Sequence, residues 1–129
     1  MGCPVFFECK DKKGVLGLIN GSKEELAACI GSRFEELDAS KSEGAGEKHL
    51  PAVSVEGNLV TVMVGSVAHP MTEEHSINWI YLETKEGSQL KKLTPDQEPK
   101  AQFAIAPGDK PVAAYAYCNL HGFWKTDIQ

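Results

Sequence analysis

The chain has 129 residues, a formal net charge of −5, and 24% charged against 42% hydrophobic residues. That length fits one domain with at most a small appendage, able to bury roughly two-thirds of its unfolded surface. The acidic balance argues against nucleic acid and anionic membrane surfaces as partners, and no apolar run is long enough to span a bilayer. The opening Met1-Gly2-Cys3-Pro4-Val5-Phe6-Phe7-Glu8 has no basic n-region, and Phe6 stands where a myristoylation signal needs Ser or Thr. A cytoplasmic protein is expected, with its four cysteines reduced and available to metal.

In chain order, residues 3–37 carry Cys3, Cys9 and Cys29 and much of the glycine. Val15–Ile19 ahead of Asn20-Gly21 reads as a short strand entering a turn. Ser22-Lys23-Glu24-Glu25 has the pattern of a capping box and predicts a helix through Leu26–Leu37. Residues 38–46 are small, polar and aperiodic, which predicts an exposed, mobile loop, a possible lid leading into Glu47-Lys48-His49.

Beyond that loop the pattern is β. Asn58–Val64 is β-branched and follows a Glu56-Gly57-Asn58 turn. Ser76–Glu83 places Ile77, Trp79 and Tyr81 on one face and Ile80 and Leu82 on the other. Gly87–Leu93, Ala101–Ala106 and Pro111–Cys118 supply further strands, with Pro95, Pro99, Pro107 and Gly108 in the turns. Short strands at this spacing predict an all-β antiparallel sandwich, with Trp79, Tyr115 and Tyr117 in its core.

Chemistry concentrates in three islands that hold every histidine: His49, the pair His69 and His75 across a Pro-Met-Thr-Glu-Glu turn, and His121 three residues after Cys118. Imidazole nitrogen and thiolate sulfur suit iron, copper, zinc or nickel and not magnesium or calcium. Structural zinc takes four ligands in a closed tetrahedron. Four histidines and one cysteine are five donors, which fit an octahedral-type iron with one position open. A blue-copper site would need an axial methionine after His121, and Gly122–Gln129 contains none.

Glu47-Lys48-His49-Leu50-Pro51, Val67-Ala68-His69-Pro70-Met71 with His75-x-Ile77-x-Trp79-Ile80, and Cys118-Asn119-x-His121-Gly122-x-Trp124 resemble the iron-site motifs of superoxide reductases, the desulfoferrodoxin/neelaredoxin family, over about residues 47–125. The resemblance implies an immunoglobulin-like sandwich and one iron per chain, cycling between Fe(2+) and Fe(3+). His49, His69, His75 and His121 would lie in an equatorial square with Cys118 as axial thiolate. It implies one-electron reduction of superoxide to hydrogen peroxide, re-reduction by a rubredoxin-like donor, and a homo-oligomer, dimeric or higher. Lys48 would guide the anion and Glu47 would move onto the ferric ion after product leaves. Backbone N–H groups of Asn119 and Leu120 would bond the sulfur and temper its donation.

Longer members carry a desulforedoxin-like module with four cysteines on a second iron. The matching positions here read Cys9, Lys12, Ala28 and Cys29, so residues 1–37 are expected to form a vestigial module without metal ahead of an iron-binding sandwich at 38–129. Cys3 has no counterpart role. The alternative is a metal-binding sandwich that serves electron transfer or metal sensing without superoxide chemistry.

Overall fold

A computed structural model describes residues 4–11, 13–42, 44 and 46–129. Cys3 and Lys12, singled out above, and Glu43 and Ala45 of the 38–46 loop lie outside the described residues. The chain divides into two compact units, residues 1–38 and 39–129.

In the first unit β1 (Phe6–Cys9) is the centre of a three-stranded antiparallel sheet, flanked by β2 (Val15–Gly17) and β3 (Phe34–Glu36). The capping box forms: Glu25 N–H donates to Ser22 Oγ at 3.0 Å and Ser22 N–H to Glu25 Oε1 at 2.8 Å. These bonds satisfy donors that a helix start would otherwise leave open. The helix they begin, α1 (Lys23–Ile30), stops well short of Leu37. Gly31 takes φ +74°, a conformation other residues avoid, and after one 3-10 turn the chain runs out as β3. Residues 34–36 have too few neighbours for local pattern to reveal strand pairing. Cys9 is buried and Cys29 exposed, both as free thiols.

The second unit is a sandwich of two antiparallel sheets. One has the order β10 (Gly122–Asp127), β9 (Pro111–Cys118), β6 (Ile77–Thr84), β7 (Ser88–Lys92). The other runs β4 (Pro51–Glu56), β5 (Leu59–Val64), β8 (Lys100–Ala104). Between them Val60, Val62, Val64, Phe103, Ile77, Ile80, Leu82 and Cys118 are fully buried. Each large aliphatic side chain buried this way contributes about 1.5–3 kcal/mol.

The alternation read from β6 holds except at its start. A register irregularity between Ile77 and Trp79 shifts the side-chain phase, so Ile77 joins Ile80 and Leu82 in the inter-sheet core. Trp79 and Tyr81 lie outside that core cluster. Trp79 stacks on Tyr117 with ring centroids 5.5 Å apart, and Tyr115 stacks on Phe123 at 5.4 Å. The aromatics expected in the core are buried, as expected, stacked on one another outside the aliphatic cluster.

Register brings the histidine islands together. Pro51 pairs with Val64, Ile77 with Cys118, and Gly122 also with Cys118, so β4, β5, β6, β9 and β10 share one end of the sandwich. His49 precedes β4, His69 and His75 lie on the crossover from β5 to β6, and His121 lies in the β9–β10 turn. Sheet pairing, together with the packing of one sheet on the other, delivers all five donors to that end.

Candidate metal centre

Each donor is seated by its own local structure. His49 closes a short helix, α2 (Gly46–His49), whose Glu47 carbonyl accepts the Val67 N–H at 2.8 Å and the Ser66 hydroxyl at 3.2 Å. Beneath it is Gly65, where a Cβ would lie 2.6 Å from the Glu47 carbonyl oxygen. Only glycine allows that approach. His69 N–H donates to the Val64 carbonyl at 2.9 Å, continuing from the end of β5. His75 ends a loop closed by Thr72, whose hydroxyl accepts the His75 N–H at 3.1 Å and whose N–H reaches the His75 carbonyl at 2.9 Å.

The five candidate ligand atoms of His49, His69, His75, Cys118 and His121 all lie within 4.8 Å of one another. Ring centroids run 4.7 Å from His49 to His69, 4.6 Å to His75, 5.1 Å on to His121 and 4.7 Å back to His49. Across the figure His49 and His75 stand 6.4 Å apart. Consecutive rings are near perpendicular, between 75° and 90°. The four imidazoles outline a square. Cys118 Sγ lies 3.9 Å from His121 Nδ1 on a residue with no exposed surface.

The nitrogens that turn inward are identifiable. His69 Nδ1 bonds the Pro70 carbonyl at 2.7 Å, which fixes its proton there and leaves Nε2 as a bare lone pair. The Nε2 atoms of His69 and His75 are buried without any hydrogen-bond partner. His49 Nε2 and His121 Nδ1 face each other at 2.9 Å. Buried polar atoms without partners are costly, about 1–3 kcal/mol each, unless something absent fills the gap. A cation coordinated by the Nε2 lone pairs of His69 and His75 removes the cost, and the borderline-to-soft donor set fits iron.

Electrostatics keep the donors ready. Burial drives the His69 pKa down to about 4, helped by neighbouring His49, His75 and His121, against the opposing Pro70 bond. Burial also lowers His75, followed by His121, His49 and Lys48. Both imidazoles are thus held neutral, as ligands must be. Burial raises the Cys118 pKa, partly offset by N–H bonds from His121, at 3.4 Å, and from Leu120. Asn119 N–H is not one of these donors, contrary to expectation, because it bonds the Ser76 carbonyl at 3.3 Å. The turn after β9 offers the sulfur only its second and third amides.

Of the two other candidate residues, Lys48 and Glu47 are both exposed on α2 next to His49, and the Lys48 charge is felt at His75. Ala39–Lys41 form one 3-10 turn, and the Ser42 hydroxyl donates to the Phe123 carbonyl, fastening this part of the loop to β10. Gly44 sits over the rings: a Cβ there would lie 3.0 Å from His49 Cε1 and 3.2 Å from His121 Cγ.

Sequence reasoning placed Trp124 within the Cys118–Trp124 motif but gave it no role. Its indole stacks on His49, centroids 4.8 Å apart at 18°, and its Nε1–H donates to the His121 carbonyl at 3.1 Å. The signal was its place two residues into β10, paired opposite Ala116, on a strand that begins directly after His121.

Two outcomes follow from this packing. Gly65→Ala forces α2 away from the 65–67 turn and with it His49; chelator competition is expected to show ferrous iron held at least about 10-fold more weakly. The second concerns pH. His69 folds with a pKa below its unfolded value near 6.5, so its contribution to stability is full above that value and is lost as pH falls toward about 4. Denaturant titrations of the metal-free chain should show stability dropping across that window, by up to ~3 kcal/mol from this group. A proton competes with iron for the same nitrogen only below about 4, so iron affinity is expected to fall from that pH downward.

A β-sandwich that gathers four imidazoles in a square, against a buried thiol at one end of its strands, defines a candidate His/Cys metal-binding protein. Comparison with known proteins narrows the class. The desulfoferrodoxin family profile matches residues 41–127. A desulfoferrodoxin from Clostridium acetobutylicum is 42% identical over 111 residues, 86% of each chain. The crystal structure of the superoxide reductase from Treponema pallidum superposes with a TM-score of 0.79 at 38% identity, covering 98% of this chain and 100% of that one. A superoxide reductase from Giardia intestinalis, described as 1Fe-SOR, matches with a TM-score of 0.56 at 38% identity over 64% of this chain and 98% of its own. The chain belongs to the desulfoferrodoxin family, and its β-sandwich is the fold of the superoxide reductases.

Proposed function

We propose that this protein is a superoxide reductase working at one iron per chain, held by His49, His69, His75, His121 and Cys118. The observation that carries the reading is the square of inward-facing imidazole nitrogens, two of them buried without partners, beside a buried thiol. Iron in its ferrous state would supply the single electron that, with two protons, converts superoxide to hydrogen peroxide.

The residues divide the remaining work. His69 and His75 present neutral nitrogens, the His69 proton held on Nδ1 by its bond to the Pro70 carbonyl, and His49 and His121 complete the square. Cys118 supplies electron density as thiolate, limited by the His121 and Leu120 N–H groups. Lys48, on the exposed α2, attracts an anionic substrate to an otherwise acidic protein and orders the water that delivers a proton. Glu47, beside it, is the carboxylate that would serve as a further ligand to such an iron. The electron spent in each turnover returns from a rubredoxin-like donor.

The N-terminal unit, residues 1–37 in this reading, keeps its sheet without a metal of its own. Cys9 and Cys29 are two sulfurs where four are needed, with Lys12 and Ala28 at the other positions. Among the described residues no helix is long and apolar enough to cross a membrane. Action in the cytoplasm, as a homo-oligomer, completes the proposal.

Stopped-flow mixing of the ferrous protein with superoxide tests it. A second-order reaction approaching diffusion control is expected. Absence of reaction would instead favour an electron carrier or metal sensor on the same scaffold.

A further inference from the structure

Asn119 lies between Cys118 and Leu120, and its bonds go elsewhere than the sulfur. Its Oδ1 accepts the Ser76 N–H at 3.0 Å, and its Nδ2 donates to the Glu74 carbonyl at 2.9 Å. Its backbone N–H adds the bond to the Ser76 carbonyl at 3.3 Å. Reversing the amide would set oxygen against oxygen and donor against donor, so this pairing uses both ends of the side chain in the one sense available. The residues so gripped are the two neighbours of His75.

Beyond the Ile77–Cys118 strand pairing and the Asn119 backbone bond to Ser76, what else fixes His75 is local. The Thr72 bonds close the loop upon itself and travel with it. The inward Nε2 of the ring has no hydrogen-bond partner, so its aim is set by the backbone and by packing against the His69 and His121 rings. Asn119, by contrast, ties this loop to the turn that carries both Cys118 and His121.

We propose that Asn119 is a positioning residue: it staples the backbone on both sides of His75 to the Cys118–His121 turn and so fixes the aim of one imidazole relative to the thiolate. The inference rests on the iron-site reading above and adds to it a residue that touches neither iron nor substrate. An asparagine suits the task because one short side chain offers a donor and an acceptor in a single plane, reaching a carbonyl and an N–H two residues apart.

A double-mutant cycle on the full-length chain, read by chelator competition for ferrous iron, tests this. Asn119→Ala is expected to weaken iron binding about 10-fold, the lower end for loss of a residue that orients a ligand. His75→Ala and the Asn119→Ala, His75→Ala double variant should bind iron equally, since the staple has nothing left to aim. Gln89→Ala, which deletes a 2.8 Å side-chain bond to the Ala104 carbonyl elsewhere in the sandwich, should bind as wild type. Asn119→Asp keeps the acceptor for Ser76 but sets a carboxylate against the Glu74 carbonyl; it too should bind iron more weakly, and serves if the alanine variant does not fold. Wild-type affinity in Asn119→Ala, or the same factor lost with and without His75, would overturn the proposal. Failure of the wild-type chain to hold iron would instead sink the iron-site reading itself.

Discussion

Cys118→Ser is expected to abolish the thiolate-to-iron(III) charge-transfer band and to slow superoxide reduction by more than about 100-fold, beyond the range for losing a residue that only orients a ligand. The size follows from where the sulfur is. Cys118 ends β9 with no exposed surface, inside the same core as Val64 and Ile77. Burial favours the neutral thiol in the absence of metal. Loading with iron must then expel that proton, and proton release on metal binding should be measurable in weakly buffered solution. Serine preserves the size but keeps its proton, and its harder oxygen neither shares charge with iron to the same degree nor gives the sulfur-based band. A serine variant retaining both band and rate would show that Cys118 is not an iron ligand.

Lys48→Ala is expected to lower the second-order rate constant for superoxide by roughly 10-fold or more at low ionic strength, with much of the salt dependence lost. A lysine about 5 Å from an anion is worth roughly 3 kcal/mol at an effective dielectric near 20, and under about 1 kcal/mol in bulk water. The exposed position of Lys48 places its effect between these limits. Against a net charge of −5, a local positive charge beside the site decides whether an anion is drawn in or turned away. Lys48→Arg should retain most of the rate, because steering depends on charge. If the alanine variant reacted at the wild-type rate with the wild-type salt dependence, Lys48 would be a solvated surface lysine with no part in capture.

The donor set was legible in the sequence because it depends on residue type and order. Four histidines in three islands and a Cys-x-x-His pair suffice to pose a metal question. The central strands were legible too, since Leu59–Val64 and Pro111–Cys118 carry their own β-branched or apolar patterns. What stayed hidden depends on long-range contact. The strand β10 is half polar and takes its identity from pairing with β9. The shift at Ile77 belongs to the pairing of β6 with β9, and α1 ends where Gly31 adopts a left-handed φ that no helix propensity reveals. Gly65 matters through the Glu47 carbonyl, eighteen residues away, and Trp124 through His49, seventy-five residues away. Asn119 was visible as a motif residue, but its partners are side-chain bonds to a different loop, and sequence adjacency to Cys118 pointed to the wrong role.

Iron K-edge X-ray absorption on the reduced, iron-loaded chain tests the centre most directly. Five protein donors are expected, four nitrogens and one sulfur, with the sulfur contribution lost in Cys118→Ser. A closed four-coordinate ion, or a shell without sulfur, would contradict it.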